Sequence, residues 1–121
     1  VGADTHVLAA DLLAVPDTCW LVATASGTRY LVEATPRAAR VARLPGEVAG
    51  HGYEVADLRR DGAWVRLLAV GHTAGGTIRV PGEVTVGHPM AMLLDIVCDG
   101  RTVTIRQTTP VRNISRLNRP T

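Results

Sequence analysis

The chain holds four histidines, His6, His51, His72 and His88, and the last three each follow a glycine. Neutral imidazole is a zinc ligand. Loops from separate hairpins would have to converge to bring His51, His72 and His88 onto one ion, with Glu47 or Glu83 as a carboxylate neighbour. The spacing matches no helical or ribbon-type zinc motif, and Gly-His in a loop is more often an exposed turn. A metal-dependent enzyme built on these loops is therefore the third-ranked reading, and no cofactor is expected.

Other reactive side chains add little to a catalytic reading. Ser26 and Ser115 are the only serines, and neither sits in a G-x-S-x-G elbow. Cys19 and Cys98 lie far apart, outside any CxxC metal or redox spacing. Apolar neighbours predict that both thiols are buried, protonated and inert. The 11 acidic residues are scattered, mostly next to turns, and identify no carboxylate pair. Gly75-Gly76 lacks the lysine and helix that a phosphate loop requires.

Arginine supplies a clearer asymmetry. All 13 basic residues are Arg, and the chain has neither Lys nor Phe, a composition that suits a G+C-rich coding sequence. A net charge of +2 is too small to imply nucleic acid by itself. Yet Arg101, Arg106, Arg112, Arg116 and Arg119 all follow Asp99, the final acid. Along one side of a barrel they would form a basic strip, with Thr108, Thr109, Asn113 and Ser115 between them. Such a strip contacts phosphates or an acidic protein partner. Trp20, Tyr30, Tyr53 and Trp64 do not obviously form the stacking platform that single strands require. A solvated edge that resists sheet-to-sheet aggregation is the plainer account.

The elements that must carry these residues read as β-strands. The segment MAMLLDIVCDGRTVTIRQ (90–107) is a hairpin about Asp99-Gly100, a pair that accepts a two-residue turn. That turn sets Leu94 against Ile105 and Met92 against Gln107. Met92, Leu94, Ile96, Val103 and Ile105 then share one apolar face. The segment CWLVATASGTRYLVEA (19–34) is a second hairpin with a three-residue loop of Ser26, Gly27 and Thr28. Its buried face is expected to hold Trp20, Val22, Thr24, Tyr30 and Val32. A third hairpin over 53–70 turns at Asp61-Gly62, with an Asp57–Arg66 ion pair and an Arg59–Trp64 guanidinium–indole contact.

Shorter stretches complete the chain. RAARVARL (37–44) is a short strand or extended edge between Pro36 and Pro45-Gly46. GHTAGG (71–76) is a flexible loop before a strand at 77–80, whose apolar edge offers pairing to a second copy. Residues 1–15 lean to a short edge strand at 13–15 over a capped helix. RLPGEV (43–48) recurs as RVPGEV (79–84), each expected to be a type II turn with Gly at the position of positive φ. Val111 and Ile114 are the last expected core residues.

Strands and glycine turns at near-regular spacing, with no long amphipathic helix, predict an all-β fold: a small, mostly antiparallel β-barrel, or alternatively a two-sheet sandwich. One domain spans 1–117, with a tail at 118–121. At 121 residues the chain can bury a core without disulfide or metal. It has no apolar run near the ~20 residues of a membrane span, and no basic-then-apolar N-terminus. The expectation is a cytoplasmic protein with no membrane partner. Its first-ranked function is a non-catalytic binding domain for protein–protein contact or self-association, with nucleic-acid binding through the arginine strip as the alternative.

Overall fold

The computed structural model describes residues 5–35, 38–44 and 64–117, and among them every regular element is a strand. In chain order these are β1 (Thr5–Val7), β2 (Ala9–Ala10), β3 (Thr18–Thr24), β4 (Arg29–Ala34), β5 (Ala39–Leu44), β6 (Trp64–Ala74), β7 (Thr77–Arg79), β8 (Val84–Thr85), β9 (Pro89–Asp95) and β10 (Thr104–Leu117). The fold is all-β, and of the two architectures expected it is the barrel. Six strands, β3, β4, β5, β6, β9 and β10, close on themselves in antiparallel order.

Closure depends on β10. Its first half pairs with β9, then the register shifts between Gln107 and Pro110. Its second half pairs with β3, with a further shift between Val111 and Asn113. A strand that bulges, bends and changes partner turns a barrel corner without breaking. β1 covers the opposite edge of β10 at 114–116, and β2 with β8 forms a separate two-stranded sheet.

The hairpin of β3 and β4 shows why alternation is a robust signal. Its loop is three residues, 25–27, closed by the Thr24 amide donating to the Thr28 carbonyl at 3.0 Å, with Gly27 at φ 91°. The loop therefore sits one residue earlier than expected, and Val22 pairs with Tyr30 rather than with Val32. A two-residue change of register keeps every side chain on its own face. Trp20, Val22, Thr24, Tyr30 and Val32 are accordingly all buried, as expected. They meet Val41, Leu67, Val70, Met90, Met92, Leu94, Val111 and Ile114 in one core, to which Leu12 and Val84 add from the small-sheet side.

The ribbon of β9 and β10 corrects the expected register by one residue. Leu94 pairs with Thr104 and Met92 with Arg106, not with Ile105 and Gln107. A one-residue slip reverses the second strand. Met92 and Leu94 are in the core as expected, but Val103 and Ile105 are 47% and 57% exposed. Asp99-Gly100 does not make a two-residue turn. The strands end at Asp95 and begin again at Thr104, and the intervening loop curls around the Asp99 carboxylate. Cys98 lies in that loop at φ 62°, and its thiol is exposed, contrary to expectation, while Cys19 is buried.

Other expectations change with the pairing. β5 is an interior strand, paired with β4 on one side and β6 on the other, rather than an edge. The 71–76 stretch is not a flexible loop. β6 runs on to Ala74 and turns into β7 through Gly75 and Gly76, at φ 56° and 78°, as a two-residue hairpin of the twisted kind needs. The N-terminal strand pairing lies at β1 and β2, not at 13–15. Gly82 does not have a positive φ, so 79–84 is not the expected type II turn. The first copy of that repeat beyond Leu44, the first strand of the third hairpin and the 118–121 tail lie outside the described residues.

Candidate functional site

The one-residue slip in the ribbon builds an apolar surface on the outside of the barrel. Leu93 on β9 is flanked in register by Ile105 on β10 and Ala69 on β6. Leu68 stands beside this row because the β6 register shifts between Leu67 and Ala69, and it is 41% exposed. Val97 and Val103 are exposed in the adjoining loop, at 57% and 47%. Exposed apolar residues scattered singly need no explanation, but a row across three strands does.

The rim of this surface is polar and carries both signs. Arg66 and Asp95 face one another in register between β6 and β9. They do not ion-pair: the Asp95 carboxylate instead accepts the Cys98 amide at 3.0 Å. Both line an open groove of about 430 Å³, together with Trp64, Val65, Ile96 and Cys98 among others. On the opposite rim the Thr73 hydroxyl donates to Gln107 Oε1 at 2.7 Å, tying β6 to β10 over the outer face of β9.

Asp99 shapes the loop that borders the patch. Its carboxylate accepts the Thr102 hydroxyl at 2.6 Å, the Thr102 amide at 2.6 Å and the Arg101 amide at 2.8 Å. These bonds, that from the Thr102 side chain first, lower the Asp99 pKa from 3.8 to about 2. A carboxyl whose folded value is depressed contributes its linked stability above the unfolded value, and loses it as pH falls toward the folded one. The stability difference between wild type and Asp99→Ala is thus expected in full above pH 3.8 and to shrink as pH falls toward about 2. Urea midpoints at pH 5 and pH 2.5 measure it, and an equal difference at both would exclude this role.

No comparison yields a relative. Family models, curated proteins and solved structures all return no match to this chain. The residues themselves must carry the functional reading.

The arginines singled out in the sequence do not share one face. Arg101 is exposed in the Asp99 loop. Arg106 lies opposite Met92 on the core side of the ribbon and lines a small cavity of about 40 Å³ with Tyr30, Arg43 and Leu94. Arg112 is exposed at the β10 register shift, and Arg116 is exposed opposite Trp20. At about 3.3 Å per residue, Arg106 and Arg116 stand up to roughly 33 Å apart along the strand. Arg119 lies outside the described residues. Ser115, expected between them as a free hydrogen-bonding group, is buried and bonded to His6 Nδ1 at 3.0 Å.

A different arginine makes the ordered contacts. Arg40 on β5 reaches Glu33 on β4 through Nε at 2.8 Å and a terminal nitrogen at 2.7 Å, and its guanidinium carbon lies 4.0 Å from the Trp64 ring centre. The indole expected to meet Arg59 thus meets Arg40, while Arg59 is outside the described residues. Glu33 and Arg40 are directly cross-strand neighbours, which a correct register for β4 and β5 would have shown.

Of the three histidines considered as metal ligands, His72 and His88 come together with ring centres 5.7 Å apart. His51 lies outside the described residues, and Glu83 reaches His72 through its backbone carbonyl. Among the described residues no group of three or more His, Cys, Asp or Glu is placed to hold an ion. His6, His72 and His88 are therefore not one cluster. The His6–Ser115 pair is the other contact unforeseen in the sequence. Its serine is 2% exposed, and Asn113 Oδ1 shares the same ring nitrogen at 3.0 Å, so it fastens β1 to β10 and does not present a nucleophile.

Proposed function

We propose that the protein is a non-catalytic binding domain that associates with a second copy of itself through the outer face of β6, β9 and β10. The observation that carries this reading is the adjacency of Leu68, Ala69, Leu93 and Ile105 across three strands. Burying such a row against a partner releases apolar surface from water at about 25 cal/mol per Å².

A second copy is the occupant that the rim supports. In a twofold contact each residue meets its counterpart's partner, so a rim on which Arg66 and Asp95 stand side by side offers each charge an opposite one across the interface. A basic or acidic partner would satisfy only one of the two. The separation of the arginines along β10 gives the nucleic-acid alternative less support than the sequence suggested.

Ile105→Glu places a charge within the patch while leaving the core untouched, since Ile105 is exposed on the outside. Sedimentation equilibrium across a wide concentration range is expected to show a dimer for the wild type. The variant is expected to dissociate at least tenfold more readily with an unchanged circular dichroism spectrum. A wild type that stays monomeric at the highest concentration, or a dimer indifferent to Ile105→Glu, would sink the proposal. Binding to mixed DNA or RNA that weakens steeply with salt would move the reading to the arginines.

A further inference from the structure

His72 and His88 are sixteen positions apart in the sequence but lie together because β8 and the turn after it fold back over β6. Both stem from backbone that is tied down. His72 pairs with Arg79 of β7 on one edge and Met90 of β9 on the other. The His88 amide donates to the Thr85 carbonyl at 3.2 Å, and its own carbonyl accepts the Val111 amide at 3.0 Å. Backbone positions held in this way are the kind of pre-organisation a ligand site needs.

The tautomer of His72 follows from its partner. Nδ1 lies 2.7 Å from the Glu83 carbonyl oxygen, which can only accept, so Nδ1 carries the proton. In the neutral ring the lone pair is then on Nε2, which makes no hydrogen bond among the described residues. An imidazole that donates one nitrogen to a backbone carbonyl and offers the other is the usual arrangement of a metal-binding histidine. His88 is exposed, and its ring makes no hydrogen bond among the described residues. Two imidazoles bonded to one ion at about 2.0–2.1 Å hold their ring centres roughly 5–6 Å apart at tetrahedral or wider angles. The observed 5.7 Å lies in that range.

We infer that His72 and His88 together bind a divalent transition-metal ion of the imidazole-preferring class, such as zinc or copper(II). The protein supplies two nitrogen ligands, and water completes the sphere, because no third His, Cys, Asp or Glu joins them among the described residues. Two neutral nitrogens and open positions make an exchangeable site, not a folding clamp. This inference is independent of self-association through the outer face of the ribbon.

The test uses the full chain with Cys98→Ser, so that the exposed thiol does not compete, and zinc chloride as the probe. Long-range proton–nitrogen spectra are expected to show the His72 Nε2 resonance and one His88 ring nitrogen shifting together, saturating at one zinc per chain, with His6 unmoved. Isothermal titration is expected to show at least tenfold weaker binding for His72→Ala and for His88→Ala. If His72→Ala does not fold, His88→Ala still decides, because its side chain is on the surface. Zinc affinity unchanged in His88→Ala, or His72 and His88 resonances that stay still at millimolar zinc, would overturn the inference.

Discussion

Gly71→Ala is expected to cost roughly 3 kcal/mol or more, at or beyond the upper end of what overpacking usually costs. Gly71 is buried in β6, and a Cβ there would stand 1.8 Å from the Arg79 carbonyl oxygen and 2.9 Å from its carbon. The obstacle is backbone, so no side chain can swing aside. β7 would have to leave β6, with loss of the ladder from His72 to Ala74. Against a total stability of about 5–15 kcal/mol, such a loss is a large fraction. The control is Gly75→Ala in the adjacent hairpin turn. There φ is 56° but nothing lies within 4 Å of the added carbon, so only the left-handed backbone is penalised, by about 1–2 kcal/mol. Urea unfolding of both variants separates steric from conformational cost. A Gly71→Ala protein no weaker than Gly75→Ala would contradict the close approach of β7.

Leu94→Ala and Ile105→Ala are expected to diverge widely, although the sequence pattern places both residues in the core. Leu94 is 4% exposed and packs within the barrel, and its truncation should cost roughly 2–5 kcal/mol through lost burial and the cavity left behind. Ile105 is 57% exposed on the outside, and its truncation should fall within about 0.5 kcal/mol of wild type for the isolated chain. Denaturant midpoints, taken at a concentration where the protein is monomeric, measure both. Equal losses would mean that β10 runs one residue out of the register described. A near-zero loss for Leu94 would mean that β9 is inverted.

The contrast between the two hairpins explains which sequence signals can be trusted. In 19–34 the loop lies one residue from where the pattern puts it, yet every residue of the expected inner face is buried, because the pairing changes by two. In 90–107 the pairing changed by one, and Val103 and Ile105 moved from the core to the surface. Asp-Gly is a sound signal for a tight turn. Here it was outcompeted by the Asp99 side chain, whose three hydrogen bonds to Arg101 and Thr102 stabilise a longer loop. Gly75-Gly76 shows the reverse: a pair read as flexible makes the two-residue hairpin.

The candidate sites were less legible than the strands. His72 and His88 stood out by residue type and by the preceding glycine, but nothing local indicated that they, and not His6, would meet. The outer apolar row was invisible for a related reason. The alternation pattern places Ile105 in the core, and Leu68 reaches the patch only because β6 bulges beside it.

By itself the sequence determined the class of the fold and the faces of β3, β4 and β9. Side-chain alternation is a property of each strand alone, and burial follows it wherever one face is apolar. The tertiary structure alone decided the register of β10 against β9, the closure of the barrel where β10 passes from β9 to β3, and the approach of His72 to His88. Each of these depends on hydrogen bonds and packing between segments far apart in the chain, whose free energies no local pattern contains.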